Sequence, residues 1–108
     1  MSPDAAAETA ALIAKLWQRQ LPNLHERLEI LDRIAAASFE GPLATEDRDQ
    51  AIAISHKFAG SLGMYGYRRG TEVAIQMEQL LRSDDSLDPS LLLSLTHDLR
   101  ESIFPTNR

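Results

Sequence analysis

The sequence predicts an all-α protein, an up-and-down antiparallel four-helix bundle with an extra or kinked helical segment at its N-terminus. Apolar residues recur at three- and four-residue steps along most of the 108 residues, and no stretch alternates as a strand would. The breaks between these helical stretches are short, and short connections favour antiparallel neighbours. A chain of this length predicts a single domain over residues 1–108, with a core large enough to fold without disulfide bonds or a structural metal.

The first helical pattern runs from Asp4 to Ser38 and contains Pro22. Proline removes one backbone donor, and no Ser, Thr, Asp or Asn stands directly before it to cap a new helix. We therefore expect a kink at Pro22, and two helices that meet at residues 20–22 are the alternative. The first helix group is expected to end near residues 39–42, because Gly41 suits a helix C-terminus and Pro42 cannot continue the helix.

Three more helices are expected after this break. Thr45 is predicted to cap the second helix, which should end between Gly63 and Gly66. The third helix is predicted over Arg68–Arg82, and the fourth begins at Asp88–Pro89, where a capping residue precedes proline. The predicted core-facing stripe of the second helix consists of Ala51, Ile54, Phe58, Leu62 and Tyr65.

Composition excludes several classes of function. The net charge of -5 argues against nucleic-acid binding, which needs a basic surface. No apolar run approaches the length of a membrane span, the N-terminus lacks the pattern of a secretion signal, and there is no cysteine. We expect a cytoplasmic protein without a cofactor. No metal site is expected either, since the three histidines lack the spacing of a helical metal site.

The face of the second helix that carries His56 is unusual for a surface. On a helical wheel of about 100° per residue, His56 lies opposite the core-facing stripe and should face solvent. Its neighbours there are small or apolar, namely Ile52, Ala59, Gly60 and Gly63. Each interior glycine costs about 1 kcal/mol relative to alanine, so this face should serve close approach. Either another helix of the same protein or a partner surface could approach it.

The spacing of His56, Gly60, Ser61, Gly63 and Gly66 resembles the signature of histidine phosphotransfer (HPt) domains. The helical pattern over most of the chain is also similar to the bundle of that family. The resemblance implies that His56 accepts a phosphoryl group and that the chain is a phosphocarrier in a two-component phosphorelay, not an enzyme. The implied partners are the receiver domain of a response regulator or hybrid kinase, whose aspartate exchanges the group, and a sensor histidine kinase. The partner would supply the catalysis.

In one position the sequence departs from the family pattern. The family usually has lysine three residues after the histidine, where this chain has Ala59, and Lys57 is the nearest substitute. This departure favours an alternative, a non-phosphorylatable helical adaptor or dimerisation module. A third reading is the histidine domain of a larger kinase, although a stand-alone protein fits slightly better. The predicted docking surface consists of Ile52, Lys57, Ala59, Gly60, Gly63 and Met64, with Arg68 and Arg69 as weaker candidates at its rim.

Glu78 is the candidate partner of the imidazole. In a hairpin that turns near Tyr67, Glu78 lies level with His56, and phosphotransfer domains commonly carry Gln or Glu at this spacing. A carboxylate that accepts from Nδ1–H fixes the tautomer and leaves Nε2 free to attack phosphorus. A solvated surface acid is the other reading of Glu78, and Gln76 takes its place if the register shifts. No glycines at matching spacing accompany the two rival histidines, His25 and His97.

Overall fold

The computed structural model describes residues 3–83 and 85–106, without the side chain of Pro3, and contains four helices and no strand in that part. The predicted all-α class is confirmed. α1 packs against α2 and α4, and α3 packs against the same two helices, so the four form a bundle. The helices are α1 (Pro3–Ala37), α2 (Thr45–Ser61), α3 (Arg68–Arg82) and α4 (Pro89–Ile103), with a 3₁₀ helix over Leu62–Tyr65 after α2.

Apolar side chains from all four helices fill one core. The predicted stripe of α2 faces it: Ala51, Ile54, Phe58 and the adjoining Leu62 are buried, and Tyr65 is partly buried. Each fully buried Leu or Phe contributes roughly 1.5–3 kcal/mol, so this stripe fixes the rotation of α2 and the direction of its opposite face. The other core residues are Leu24, Leu28, Leu31, Ile34, Ala35, Val73, Ala74, Met77, Leu81, Leu92, Leu95, Leu99 and Ile103.

α1 is a single helix that continues through Pro22, so the alternative of two helices is wrong. Its 35 residues span about 50 Å at 1.5 Å per residue, roughly twice the length of the other helices. Its buried positions begin at Leu24, and Trp17 and Leu21 pack partly against the core. No residue from 4 to 16 is buried. The N-terminal half of α1 therefore extends past the bundle.

The helix starts agree with the sequence in two cases and differ in one. α3 covers the predicted residues, and α4 begins at Pro89. The Asp88 carboxylate accepts hydrogen bonds from the backbone amides of Ser90 and Leu91, at 3.0 and 3.3 Å, as a cap should. The prediction that Thr45 caps α2 is wrong. Thr45 is already the first helical residue, and Ala44 stands at the cap position without a side-chain hydrogen bond.

A tight reversal joins α2 to α3. The 3₁₀ helix over Leu62–Tyr65 continues α2, so the predicted end between Gly63 and Gly66 holds for the whole helical segment. Gly66 has φ 84°, a left-handed conformation that glycine adopts without strain. Its N–H donates to the carbonyl of Gly63 at 3.2 Å, and the N–H of Tyr67 donates to Leu62 at 3.0 Å. The chain then returns antiparallel as α3.

Candidate functional site

His56 lies on the outer face of α2, with 72 % of its side chain exposed. Its neighbours in the sequence anchor the helix. Ser55 is fully buried and donates its hydroxyl to the carbonyl of Ala51 at 2.8 Å, and Phe58 is buried in the core. Burial of these side chains directs His56 to the opposite side, and the predicted exposure of the ring is confirmed.

Glu78 reaches the ring from α3. His56 Nδ1 lies 3.1 Å from Glu78 Oε1 and 3.2 Å from Oε2. The α2–α3 hairpin thus brings together the two residues that the sequence places at the same level, and Gln76 does not take this position. Only 18 % of the Glu78 side chain is exposed, and both of its carboxylate oxygens contact the His56 ring on α2.

Arg82, which was not among the residues predicted from the sequence, holds the other side of the carboxylate. Its Nε donates to Glu78 Oε2 at 2.9 Å, one helical turn further along α3. This hydrogen bond, followed by the one from His56, lowers the pKa of Glu78 below its ordinary value. The i, i+4 spacing of Glu78 and Arg82 is the sequence signal that could have found the pair.

The ionised carboxylate determines the tautomer of the ring. A carboxylate without a proton can only accept hydrogen bonds, so the nitrogen that faces it, Nδ1 of His56, carries the hydrogen. In the neutral imidazole, Nε2 then holds the free lone pair. The nucleophilic nitrogen therefore lies on an exposed ring, and the contact between Nδ1 and Glu78 fixes the orientation of that ring.

The glycines beside His56 are not required for packing inside the protein. A Cβ built on Gly60 meets nothing within 4 Å, and one on Gly63 meets Thr71 Oγ1 at 3.7 Å, an ordinary contact. Close packing occurs instead at Gly70, which was not predicted from the sequence. A Cβ there would lie 2.8 Å from Ser102 Oγ and 2.9 Å from Leu62 Cδ1. The space in front of Gly60 is open to solvent.

A search of protein-family profiles matches the Hpt domain over residues 5–103, nearly the whole chain. The chain belongs to the Hpt domain family. This membership implies histidine phosphotransfer in a phosphorelay, and Hpt domains are phosphocarriers, not enzymes. The chain is also 27% identical, over 103 residues, to Protein RcaC of Microchaete diplosiphon. That match covers 93% of this chain and 16% of the relative, so the chain spans about a sixth of the relative's length. No solved structure matches this chain.

The residues predicted as the docking surface of this Hpt domain surround His56 but differ in exposure. Lys57, Gly60, Gly63 and Met64 are exposed, and 69% of Met64 is accessible. The remaining two, Ile52 and Ala59, are partly buried against the core. The two rim arginines lie at the start of α3 and face acidic neighbours. Arg68 lies 3.9 Å from Glu72, and Arg69 lies 3.7 Å from Asp98 of α4.

Three aromatic side chains join α1 to the turn after α2, a contact that the sequence analysis did not predict. The Trp17 ring stacks on Tyr67 with centroids 4.6 Å apart, and it meets Tyr65 at 4.8 Å. A shallow groove beside the His56 face runs from Trp17 and Tyr65 to Lys57 and Met64. The stacking fixes α1 against the end of the hairpin that carries the site, because aromatic pairs contribute beyond their buried area.

The other two histidines of the Hpt domain lie elsewhere. The ring of His25 stacks on Phe104 at a centroid distance of 4.0 Å, and His97 is exposed on α4. Within residues 3–83 and 85–106, no group of three His, Asp or Glu side chains converges as metal ligands. In the same part of the chain, no helix combines the length and the apolar character that a membrane crossing needs.

Proposed function

We propose that His56 of this Hpt domain carries the phosphoryl group on Nε2 and exchanges it with a receiver-domain aspartate. The receiver belongs to a response regulator or a hybrid kinase, and a sensor histidine kinase is the second source of the group. Both partners would be met in the cytoplasm. The observation that supports this proposal most is the exposed His56 ring, whose Nδ1 is held 3.1 Å from the Glu78 carboxylate.

The transfer step follows from this geometry. The lone pair of Nε2 attacks the phosphorus of an aspartyl phosphate, an N–P bond forms, and the P–O bond breaks with its electrons leaving on the aspartate carboxylate. The ring becomes positively charged because Nδ1 keeps its proton. Glu78, ionised and held by Arg82, stabilises that charge, and the reverse reaction returns the group to an aspartate.

Phosphoryl transfer also requires charge neutralisation at the phosphorus, which the partner would supply. Negative charge spreads over three oxygens of the transferred group and needs a metal ion or cations. Ala59 occupies the position of the usual family lysine, and we assign its role in part to Lys57, which is exposed directly after His56. The receiver would contribute its own metal ion and lysine.

The face around His56 is the proposed docking surface. The open space in front of Gly60 lets a receiver approach the backbone of α2, and the exposed Met64 adds an apolar contact. Ile52 and Ala59 border the contact from their partly buried positions, with Gly63 at its far end and Lys57 at the rim. Such a mixture of an apolar centre and a charged rim is common in protein interfaces.

The adaptor remains the second candidate, because Ala59 removes the cation that the family usually places near the phosphoryl group. One experiment separates the two functions. The chain is incubated with a panel of phosphorylated receivers and examined for label that is labile in acid and stable in base. The variants are His56→Gln and, as matched controls on other helices, His25→Gln and His97→Gln. We expect label on all but His56→Gln. An unlabelled wild-type chain across the panel supports the adaptor.

A further inference from the structure

The N-terminal half of α1 presents an exposed apolar stripe beyond the bundle. Leu12, Ile13 and Leu16 are 58%, 39% and 40% exposed, although they are large apolar residues on a helix. They lie on one side of the helix with Thr9, at steps of three and four residues. A stripe of this kind is typical of a helix that packs against another helix.

The acidic and the basic residues beside the stripe lie in different parts of the helix. Asp4 and Glu8 lie four residues apart at the N-terminal end, and Lys15 and Arg19 lie four residues apart further on. Each pair sets two like charges on neighbouring turns, which is mildly unfavourable in an isolated helix. In the part of the chain that the structure describes, none of the four forms an ion pair. An oppositely charged partner would relieve both repulsions.

Residue size is divided in the same way. In residues 4–17 of α1, the apolar residues of the first half are small, with alanine at 5–7, 10 and 11. The large apolar residues all lie in the second half. A partner helix that runs in the opposite direction and has the same sequence would place small residues opposite large ones. It would also place acidic residues beside basic ones. A parallel copy would set like charges and like sizes together.

We infer that residues 4–17 of α1 pair antiparallel with the same segment of a second copy of this chain. Thr9 and Leu16 lie at a-like positions, and Leu12 lies at a d-like position. Antiparallel packing sets Thr9 against Leu12 of the other copy and Ile13 against its Ala6. On the flank, Glu8 lies beside Lys15 of the other copy, and two-fold symmetry repeats every contact.

The two helices of the proposed dimer overlap over a short length. The paired segment ends at Trp17, where each bundle begins, so the two bundles lie at opposite ends of the helix pair without overlap. A contact between two helices that is about 20 Å long buries less surface area than a standard protein interface. We therefore expect a weak dimer whose population rises with concentration. The inference is independent of His56, so His56→Gln should dimerise as the wild-type chain does.

Sedimentation velocity over about a hundredfold range of protein concentration tests the inference, because a weak dimer follows mass action. Glu8→Lys and Lys15→Glu should each raise the dissociation constant roughly tenfold, since each replaces two attractive charge pairs with two repulsive ones. The double variant Glu8→Lys/Lys15→Glu should restore dimerisation. The two single variants, when mixed, should form a heterodimer. Glu29→Lys changes the net charge on an exposed part of α1 outside the segment and should leave the dimer unchanged.

Three outcomes would overturn the inference. The first is a wild-type chain that stays monomeric at the highest concentration, which would mean that the apolar stripe binds a different protein. The second is a dimer that neither single variant weakens, which would place the interface elsewhere. The third is a double variant that stays monomeric while its circular dichroism shows the wild-type helix content, because antiparallel pairing requires the swap to restore both contacts.

Discussion

Gly60 and Gly70 are both glycines in helices, and replacing each with alanine should have opposite effects on stability. The substitution is chemically identical at both positions. At Gly60 the new methyl group enters open space, whereas at Gly70 it would lie 2.8 Å from Ser102 Oγ and 2.9 Å from Leu62 Cδ1. Leu62 is fully buried, and the Ser102 hydroxyl donates to the carbonyl of Leu99 at 2.7 Å. Neither neighbour can move without disturbing the core or a hydrogen bond.

The expected magnitudes follow from these contacts. Gly60→Ala should raise the free energy of unfolding by roughly 0.5–1 kcal/mol, because alanine favours the helix. Gly70→Ala gains a similar amount from the helix but introduces overpacking, which costs roughly 1–3 kcal/mol. The helix term is common to both variants. Their free energies of unfolding should therefore differ by about 1–3 kcal/mol, in favour of Gly60→Ala.

Urea unfolding of both variants measures this difference, and the rate of phosphoryl transfer from a receiver measures function separately. Gly60→Glu extends the test, since a long side chain in front of α2 should slow transfer strongly while the fold stays intact. Transfer per folded molecule should stay normal in Gly70→Ala. Greater destabilisation by Gly60→Ala than by Gly70→Ala, or unchanged transfer in Gly60→Glu, would contradict these expectations.

Further predictions concern the side chains at the site. His56→Gln should change the free energy of unfolding by less than about 0.5 kcal/mol, because the ring is exposed, and urea unfolding checks this. Glu78→Ala should slow phosphorylation roughly tenfold to a hundredfold without abolishing it, because it removes one hydrogen bond to a charged group, and ¹⁵N NMR should show a mixture of ring tautomers. Arg82→Gln should give a weaker form of both effects, as it leaves Glu78 in place. The lowered pKa of Glu78 also predicts a pH dependence. Its contribution to stability is fully present above the ordinary carboxyl pKa and is lost as the pH falls through the lowered value, so the difference in unfolding free energy between wild type and Glu78→Gln should shrink there.

The sequence predicted the features that depend on local pattern and missed those that depend on tertiary distance. The bounds of α3 and the start of α4 follow from periodicity and from the cap at Asp88. The pairing of His56 with Glu78 follows from the geometry of a hairpin, since positions equidistant from a turn lie side by side. Arg82 was missed although its i, i+4 spacing from Glu78 is visible in the sequence, because it contacts the carboxylate and not the imidazole.

Other features carried no sequence signal. The close packing at Gly70 depends on Ser102, a residue from another helix, and no local pattern connects the two. The stacking of Trp17 on Tyr67 likewise requires knowing how α1 lies against the hairpin. Thr45 was assigned as a cap from its residue type, but the helix begins at Thr45 itself and the preceding Ala44 has no side chain that can cap it. Residue type alone does not fix the first residue of a helix.

Identification of the phosphorylated atom tests the proposed role of His56. After transfer from a receiver to the ¹⁵N-labelled chain, long-range ¹H–¹⁵N correlation NMR distinguishes a phosphoryl group on Nε2 from one on Nδ1. We expect phosphorylation at Nε2 of His56, because Nδ1 carries the hydrogen that faces Glu78. Phosphorylation at Nδ1, or on His25 or His97, would contradict it.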